Sequence, residues 1–398
     1  MTFNADLARQ IAFEDIPRDE ARYFEGRAKE IENFKHSLNA STRREQAVFR
    51  IYQGAPGCGK TSLAAHLART TEDAVFIKLS RRHLTSFEYM MERIKNAASE
   101  QKGRYALTAT HWAAASIERL AGRALTEEIQ QAVRDHSTEG LRFVLHIDEA
   151  HSLPDNALEV LTELHIGGLG ETDQIPCVVV LTGLGHTRKH INHHAGLTRA
   201  GDGTTMHMTA LEGGECAQST MRMLAELRPH QAPVASRQTL ANLSVEWSFG
   251  WPRHLLSAQK AICEALLNNN GNAQALNHEQ IKERCAELRA EYYMDRLGDI
   301  KGAGGDPDLI KRVTAALESK PLHHSEDHLT LLCHKEANET ALIEKTIPEC
   351  AQMARSLIEE GIVERKDGIW ALSIPSMGTW ATQQLQGSVP TQAQGHDG

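Results

Sequence analysis

The sequence has no apolar run near the roughly 20 residues a membrane-spanning helix needs. Its first twenty residues also lack the basic-then-apolar layout of a secretory signal. A cytoplasmic location without membrane contact is the expectation. No C-x-x-C pair occurs among the seven scattered cysteines, which excludes a disulfide or zinc framework and predicts reduced thiols. With no such pair beside them, the 21 histidines do not amount to a zinc site either. Aromatic residues are scarce at 5%, which argues against an aromatic-rich binding surface. Basic charge is short too: 43 Lys and Arg stand against 52 Asp and Glu, a net charge of -9. A surface basic throughout is excluded, so any contact with DNA must be local.

What is present is a soluble, globular composition over 398 residues, long enough for two or three domains, each with its own core. A polar helical stretch, most patterned in ARYFEGRAKEIENFKHSL, leads in and is expected to pack on the core. Short apolar runs then alternate with helical ones. Strands are predicted at 47–53, 74–80, 142–148, 177–183 and 204–211, with two helical segments between about 86 and 137. This alternation predicts an α/β fold, a parallel sheet covered on both faces, with a ligand at the carboxyl ends of its strands. From Glu212 to about Met294 the pattern turns helical throughout, as in a separate helical subdomain. KGAGGDP (301–307) reads as a linker, and three helices and a hairpin turning at Lys366-Asp367-Gly368 follow, the outline of a winged helix. The predicted division is therefore 1–211, 212–300, 301–383 and a polar, disordered tail at 384–398.

Two motifs carry chemistry. GAPGCGKT, comprising Gly54, Ala55, Pro56, Gly57, Cys58, Gly59, Lys60 and Thr61, fits G-x-x-x-x-G-K-[ST] between a strand and a helix that continues through Ser62. Backbone N–H groups of such a loop and of the helix start face phosphate oxygens. Lys60 is expected on the β and γ phosphates of ATP and Thr61 on Mg²⁺. Cys58 reads as a filler position. The second motif ends the strand RFVLHID: Asp148 is expected to reach the metal, and Glu149 to polarise the attacking water. The DEAH letters also occur in helicases, but no second strand-rich region follows Arg199.

Together FEGRAKEI, GAPGCGKT, VLHIDEAH, VVVLTGLG, LTRAGDG and GWPRHL, in this order over roughly residues 20–290, resemble the AAA+ P-loop ATPases, nearest to the origin-recognition-type and related bacterial branch. The resemblance implies an AAA+ core, a helical lid, a C-terminal winged helix, and assembly into a homo-oligomer. Thr182 would be the polar sensor that helps position the attacking water, or else a strand-end hydroxyl. Arg199, with Arg188 as the other candidate, would be an arginine finger reaching a neighbouring subunit; both also suit a solvated surface arginine. Arg253 would contact the γ-phosphate from the lid, although Pro252 beside it also marks an ordinary helix start. Phe24, Gly26 and Arg27 match the segment that lines the adenine site.

Two uses of the ATP remain open. One is a DNA-associated loader, recruiter or transposition-type regulator acting on double-stranded DNA. The other is a signalling or defence-type switch acting on a protein effector. Family branch favours the first. Local charge favours the second, since residues 306–378 hold 8 Lys and Arg against 13 Asp and Glu.

Overall fold

The computed structural model describes the chain except for residues 1, 15–21, 45–46, 72–73, 80–83, 86–88, 91–141, 167–176, 199, 201–203, 231, 299, 301–306, 320–321, 324–325, 340–344, 367–368 and 388–398. Nearly all of the helical stretch expected at 86–137, Arg199, the linker glycines and the turn residues Asp367 and Gly368 therefore lie outside the described residues. The elements run α1 (Ala5–Phe13), α2 (Ala28–Arg44), β1 (Val48–Gln53), α3 (Lys60–Thr70), β2 (Ala74–Leu79), β3 (Arg142–Ile147), α4 (Asp155–Ile166), β4 (Cys177–Gly183), α5 (Thr187–His193) and β5 (Thr205–His207). There follow α6 (Gly213–Leu227), α7 (Val234–Ser248), α8 (Pro252–Asn268), α9 (His278–Gly298), α10 (Pro307–Ser319), β6 (Leu322–His323), α11 (Glu326–Asn338), α12 (Ile347–Glu359), β7 (Val363–Lys366), β8 (Ile369–Leu372) and α13 (Met377–Gly387). Two compact units result, one of residues 16–54 and 59–208, the other of residues 1–15, 55–58 and 209–398.

The first unit is built on a five-stranded sheet in the order β2-β3-β4-β1-β5, with every pairing parallel. Parallel strands need crossovers, and the intervening helices bury both sheet faces. Hence β4, CVVVLTG, is apolar through Leu181 and buried at every position. Phe49, Ile51, Leu145, Ile147, Val179 and Leu181 form its core with Leu161 and Leu164 of α4. A charge inside β1 is accommodated by partners: the buried Arg50 donates to Ser37 Oγ at 2.9 Å and to the Thr204 carbonyl at 3.3 Å. β5 is shorter than the strand predicted at 204–211. It pairs only with Ile51–Gln53, and once Met208 N–H has bonded the Gln53 carbonyl at 2.7 Å the neighbouring strand has ended.

The second unit is helical, with a small sheet near its C-terminus. Helix α1, capped by Asn4, buries Leu7 and Ile11 and packs on α8, so this part of the N-terminal lead-in belongs here. α6 begins with a reciprocal cap between Glu212 and Glu215. α7 ends at Phe249 and Gly250, both left-handed; a side chain at Gly250 would strike the Leu211 carbonyl at 2.6 Å, and the Leu211 N–H donates to the Gly250 carbonyl at 2.7 Å. Pro252 then opens α8 at its first turn. Beyond α9, helices α10, α11 and α12 pack with an antiparallel sheet ordered β6-β8-β7. Tyr292, Tyr293 and Leu297 of α9 share one core with Val313, Leu357 and Trp370, residues from both sides of the predicted 300/301 boundary. α13 extends to Gly387, into the stretch predicted to be tail, because Trp380 and Ala381 bury in the same core despite their polar neighbours.

Among the described residues no helix is long and apolar enough to cross a membrane. All seven cysteines are buried thiols; burial raises Cys177 and Cys333 to about 12.

One buried group links this unit to pH. His254 is wholly buried, with Nε2 3.2 Å from the Tyr293 hydroxyl. Burial first, then the charges of Arg289 and Arg253, push it down to about 3, against one opposing backbone hydrogen bond. Unfolding restores a value near 6.5. Between those values the unfolded chain holds a proton that the folded chain does not, so stability is full above about pH 6.5 and declines as pH falls, by up to about 1.4 kcal/mol per unit. Thermal melts from pH 7.5 to 5 are expected to show this decline, with a shallower slope in His254→Gln. Equal slopes in the two proteins would remove His254 as its source.

Candidate nucleotide site

β1 delivers the chain into the phosphate loop, and α3 takes it away. The Gly54 N–H bonds the Gly183 carbonyl at 3.1 Å, fastening the loop entrance to β4. Gly57 (φ 80°) and Gly59 (φ 93°) are both left-handed, and this is why glycine stands at these two positions. Gly59 caps α3, whose first residue is Lys60. The Lys60 side chain is buried at 8% exposure, and its Nζ donates to the Gly54 carbonyl at 3.0 Å.

The carboxyl ends of β3 and β4 lie side by side, which brings Asp148 to Thr182. Asp148 Oδ1 accepts from the Thr182 hydroxyl at 2.6 Å and from the Glu149 N–H at 3.0 Å. Its Oδ2 accepts from the Thr61 hydroxyl at 2.9 Å. Burial works to raise the Asp148 pKa, but the Thr182 bond, the neighbouring His146, the Thr61 bond and the Glu149 N–H outweigh it and hold the carboxyl below its ordinary value. A carboxylate and a hydroxyl held together are hard oxygen donors of the kind Mg²⁺ takes, so Thr61 and Asp148 fit that ion.

Glu149 follows in the left-handed region (φ 55°, ψ 39°), unusual for a residue with a side chain, and starts the 3-10 turn Ala150–Ser152. The turn sends its carboxylate away from Asp148 and into solvent. The Glu149 side chain is 60% exposed, and one oxygen lies 3.4 Å from His151 Nδ1. Of the adenine-segment residues, Phe24 stacks on His66 of α3 with ring centroids 4.2 Å apart. Gly26 and Arg27 are left-handed, and the buried Arg27 reaches Glu30 at 3.4 Å. Arg188 lies exposed on α5, its backbone N–H bonded to Gln53 Oε1 at 2.9 Å.

In the second unit, residues 55–58 of the loop meet the start of α8. The Trp251 indole donates to the Pro56 carbonyl at 3.2 Å and the Arg253 N–H to the Gly57 carbonyl at 3.1 Å. A side chain at Gly57 would meet Arg253 Cβ and the Tyr292 hydroxyl, each at 2.9 Å. The Arg253 guanidinium lies over the Tyr292 ring, 5.5 Å from its centroid. Cys58 is fully buried here, as suits a filler. Sequence reasoning missed Trp251, Tyr292 and His146. Trp251 stood inside the quoted GWPRHL, and His146 was a polar interruption of an apolar strand; Tyr292 left no local signal.

The stretch that carries the loop, the Asp148–Glu149 pair and Thr182 coincides with a match to the family described as AAA domain, over residues 43–190. The five-stranded parallel sheet has the fold of the AAA+ P-loop NTPases. No curated protein matches the chain in sequence. In fold the chain is similar to a Walker-type ATPase of Pyrococcus abyssi, with TM-score 0.59 and 14% identity over 90% of this chain and 96% of that one. It is also similar to the ORC2 protein of Aeropyrum pernix in its ADPNP–ADP complexes, with TM-score 0.54 and 13% identity over 95% and 98% of the two chains. The ADP form of that protein gives a TM-score of 0.52 at the same identity and coverage.

Proposed function

We propose that this AAA+ protein binds and hydrolyses ATP as an oligomerising, nucleotide-controlled switch associated with DNA, of the loader, recruiter or transposition-regulator kind. The observation that carries the ATPase reading is the triad of Thr61, Asp148 and Thr182, joined by hydrogen bonds at the carboxyl ends of β3 and β4 beside the phosphate loop. Backbone N–H groups of residues 57–61 and the Lys60 ammonium bind the phosphates of ATP. Thr61 and Asp148 would hold Mg²⁺, which when bound would supply neutralising charge to the phosphate oxygens. Glu149 orients a water and takes its proton as the water oxygen bonds the γ-phosphorus, the bond to the β,γ-bridging oxygen breaks, and ADP and inorganic phosphate leave. Arg253 contacts the γ-phosphate from the lid, and Arg199 or Arg188 serves a neighbouring subunit.

The switch reading is supported by contacts within the second unit. Tyr292 abuts Gly57 of the phosphate loop, and the next residue, Tyr293, bonds Ser376 Oγ at 2.8 Å and the Pro375 carbonyl at 3.1 Å. A change at the loop thus reaches the C-terminal segment across two adjacent side chains. That segment, with its three helices, three-stranded sheet and β7–β8 hairpin, is read as a winged helix, and exposed Arg355 on α12 and Arg365 on β7 are its candidate phosphate contacts.

The excess of acid over residues 306–378, 13 carboxylates against 8 basic side chains, favours a second reading in which a protein effector docks there instead. ATPase rates with and without duplex DNA, at low and moderate salt, separate the two. The DNA-associated reading expects several-fold stimulation that fades with salt and is lost in Arg355→Glu/Arg365→Glu. An ATPase that ignores DNA under every condition would move the assignment to the protein effector.

A further inference from the structure

His146 is an imidazole inside a core strand. It is 6% exposed, between Leu145 and Ile147, whose side chains take the opposite face of the sheet. Alternation along β3 puts residues 144, 146 and 148 on a common face, and the register that sets His146 against Val180 of β4 brings Thr182 to the same place. Burying a polar ring there is costly unless it is hydrogen-bonded, and its Nε2 lies 3.0 Å from Thr182 Oγ1.

The protons in this chain of contacts can be assigned. A threonine hydroxyl has one proton and two lone pairs, and an ionised carboxylate can only accept. The 2.6 Å contact to Asp148 Oδ1 therefore holds the Thr182 proton, and at His146 the threonine oxygen must accept. Nε2 of His146 then carries the proton, and the order of donation runs from imidazole to hydroxyl to carboxylate. Thr182 also has a rival acceptor, the Ile147 carbonyl at 3.4 Å. A donor fixed at its oxygen holds the hydroxyl turned towards Asp148 and away from that rival. With Oδ1 engaged by Thr182 and the Glu149 N–H, Oδ2 is the oxygen left facing Thr61.

We propose that His146 is a positioning residue of the nucleotide site, orienting the Thr182 hydroxyl and, through it, the Asp148 carboxylate that holds Mg²⁺ together with Thr61. The proposal rests on the ATPase reading above and adds a residue to it. It also assigns Thr182 to the carboxylate: wholly buried, with its proton committed to Asp148, it acts on that side chain and not on the attacking water.

The test is equilibrium binding of a ribose-labelled fluorescent ATP to the full chain, in Mg²⁺ and in EDTA, with thermal melts of each variant alone. Wild type binds more tightly in Mg²⁺ than in EDTA. His146→Leu, which fills the space without a donor, is expected to lose up to about tenfold in Mg²⁺, the size of one buried hydrogen bond, with little change in EDTA. His146→Gln, whose amide reaches the Nε2 position, restores binding to within about twofold by keeping a donor there. His146→Asn, whose amide reaches only the Nδ1 position, behaves like leucine and carries the test if the leucine variant does not fold. In a Thr182→Val background His146→Leu costs nothing further, because the link is already cut. An unchanged Mg²⁺ dependence in the leucine and asparagine variants, failure of glutamine to rescue, or additive losses would each overturn the role of His146. A wild type that binds no nucleotide, or binds it as well after Lys60→Ala, would overturn the ATPase reading itself.

Discussion

Replacing Lys60 with alanine is expected to weaken ATP binding at least a hundredfold, a loss of roughly 2.7 kcal/mol or more. Lys60 brings a full positive charge to the centre of a loop whose other donors are backbone dipoles. It is buried and already engaged with the Gly54 carbonyl, so its ammonium is held at the loop and has little freedom left to lose on binding. Alanine removes that charge while favouring the helix at this position, the first of α3. The variant should fold. Isothermal titration should then show no saturable binding, and the melting temperature should stop rising with added ATP. A variant that still shifts its melting temperature as wild type does would detach the loop from nucleotide binding.

Glu149→Gln is expected to separate binding from hydrolysis. The glutamine has the same length and tolerates the same turn, but it cannot take a proton from water. Single-turnover hydrolysis should fall by about 10²- to 10⁴-fold, the range for loss of a general base. Nucleotide affinity should stay within about threefold, because the group Glu149 lends to Asp148 is its backbone N–H at 3.0 Å, which the substitution leaves in place. Normal turnover in this variant would transfer the role of base to another residue. Equal loss of binding and hydrolysis would mean the substitution had disturbed Asp148.

These two effects differ because the residues stand differently in the fold. Lys60 is buried within the loop, whereas Glu149 is thrown outward by its left-handed backbone. That backbone is a strained feature at the proposed catalytic position, held by the turn that follows, where the Ser152 hydroxyl bonds the Glu149 carbonyl at 2.8 Å.

The phosphate loop and the acidic pair were legible because each is a contiguous motif whose flanking strand and helix have their own hydrophobic period. The strands at 48–53, 74–79, 142–147 and 177–183 agree with the runs read from the sequence to within a residue at their ends. β5 is shorter than its apolar run because its partner stops at Gln53, which such a run cannot reveal. The polar letters around Trp380 hid α13, since its burial depends on side chains elsewhere in the chain.

The sequence by itself determined the alternation of strand and helix, the glycines at left-handed positions and the residue types of the proposed phosphate-binding site. These depend on backbone preference and on periods of two or 3.6 residues, which act between near neighbours. Only the tertiary structure decided which distant groups meet. Thr182 reaches Asp148, 34 positions away, because β4 lies beside β3 in the sheet order, and Tyr292 reaches Gly57 because α9 is packed there. A hydrogen bond or a steric contact is settled by position in space, and strand order and helix packing, not local propensity, set that position.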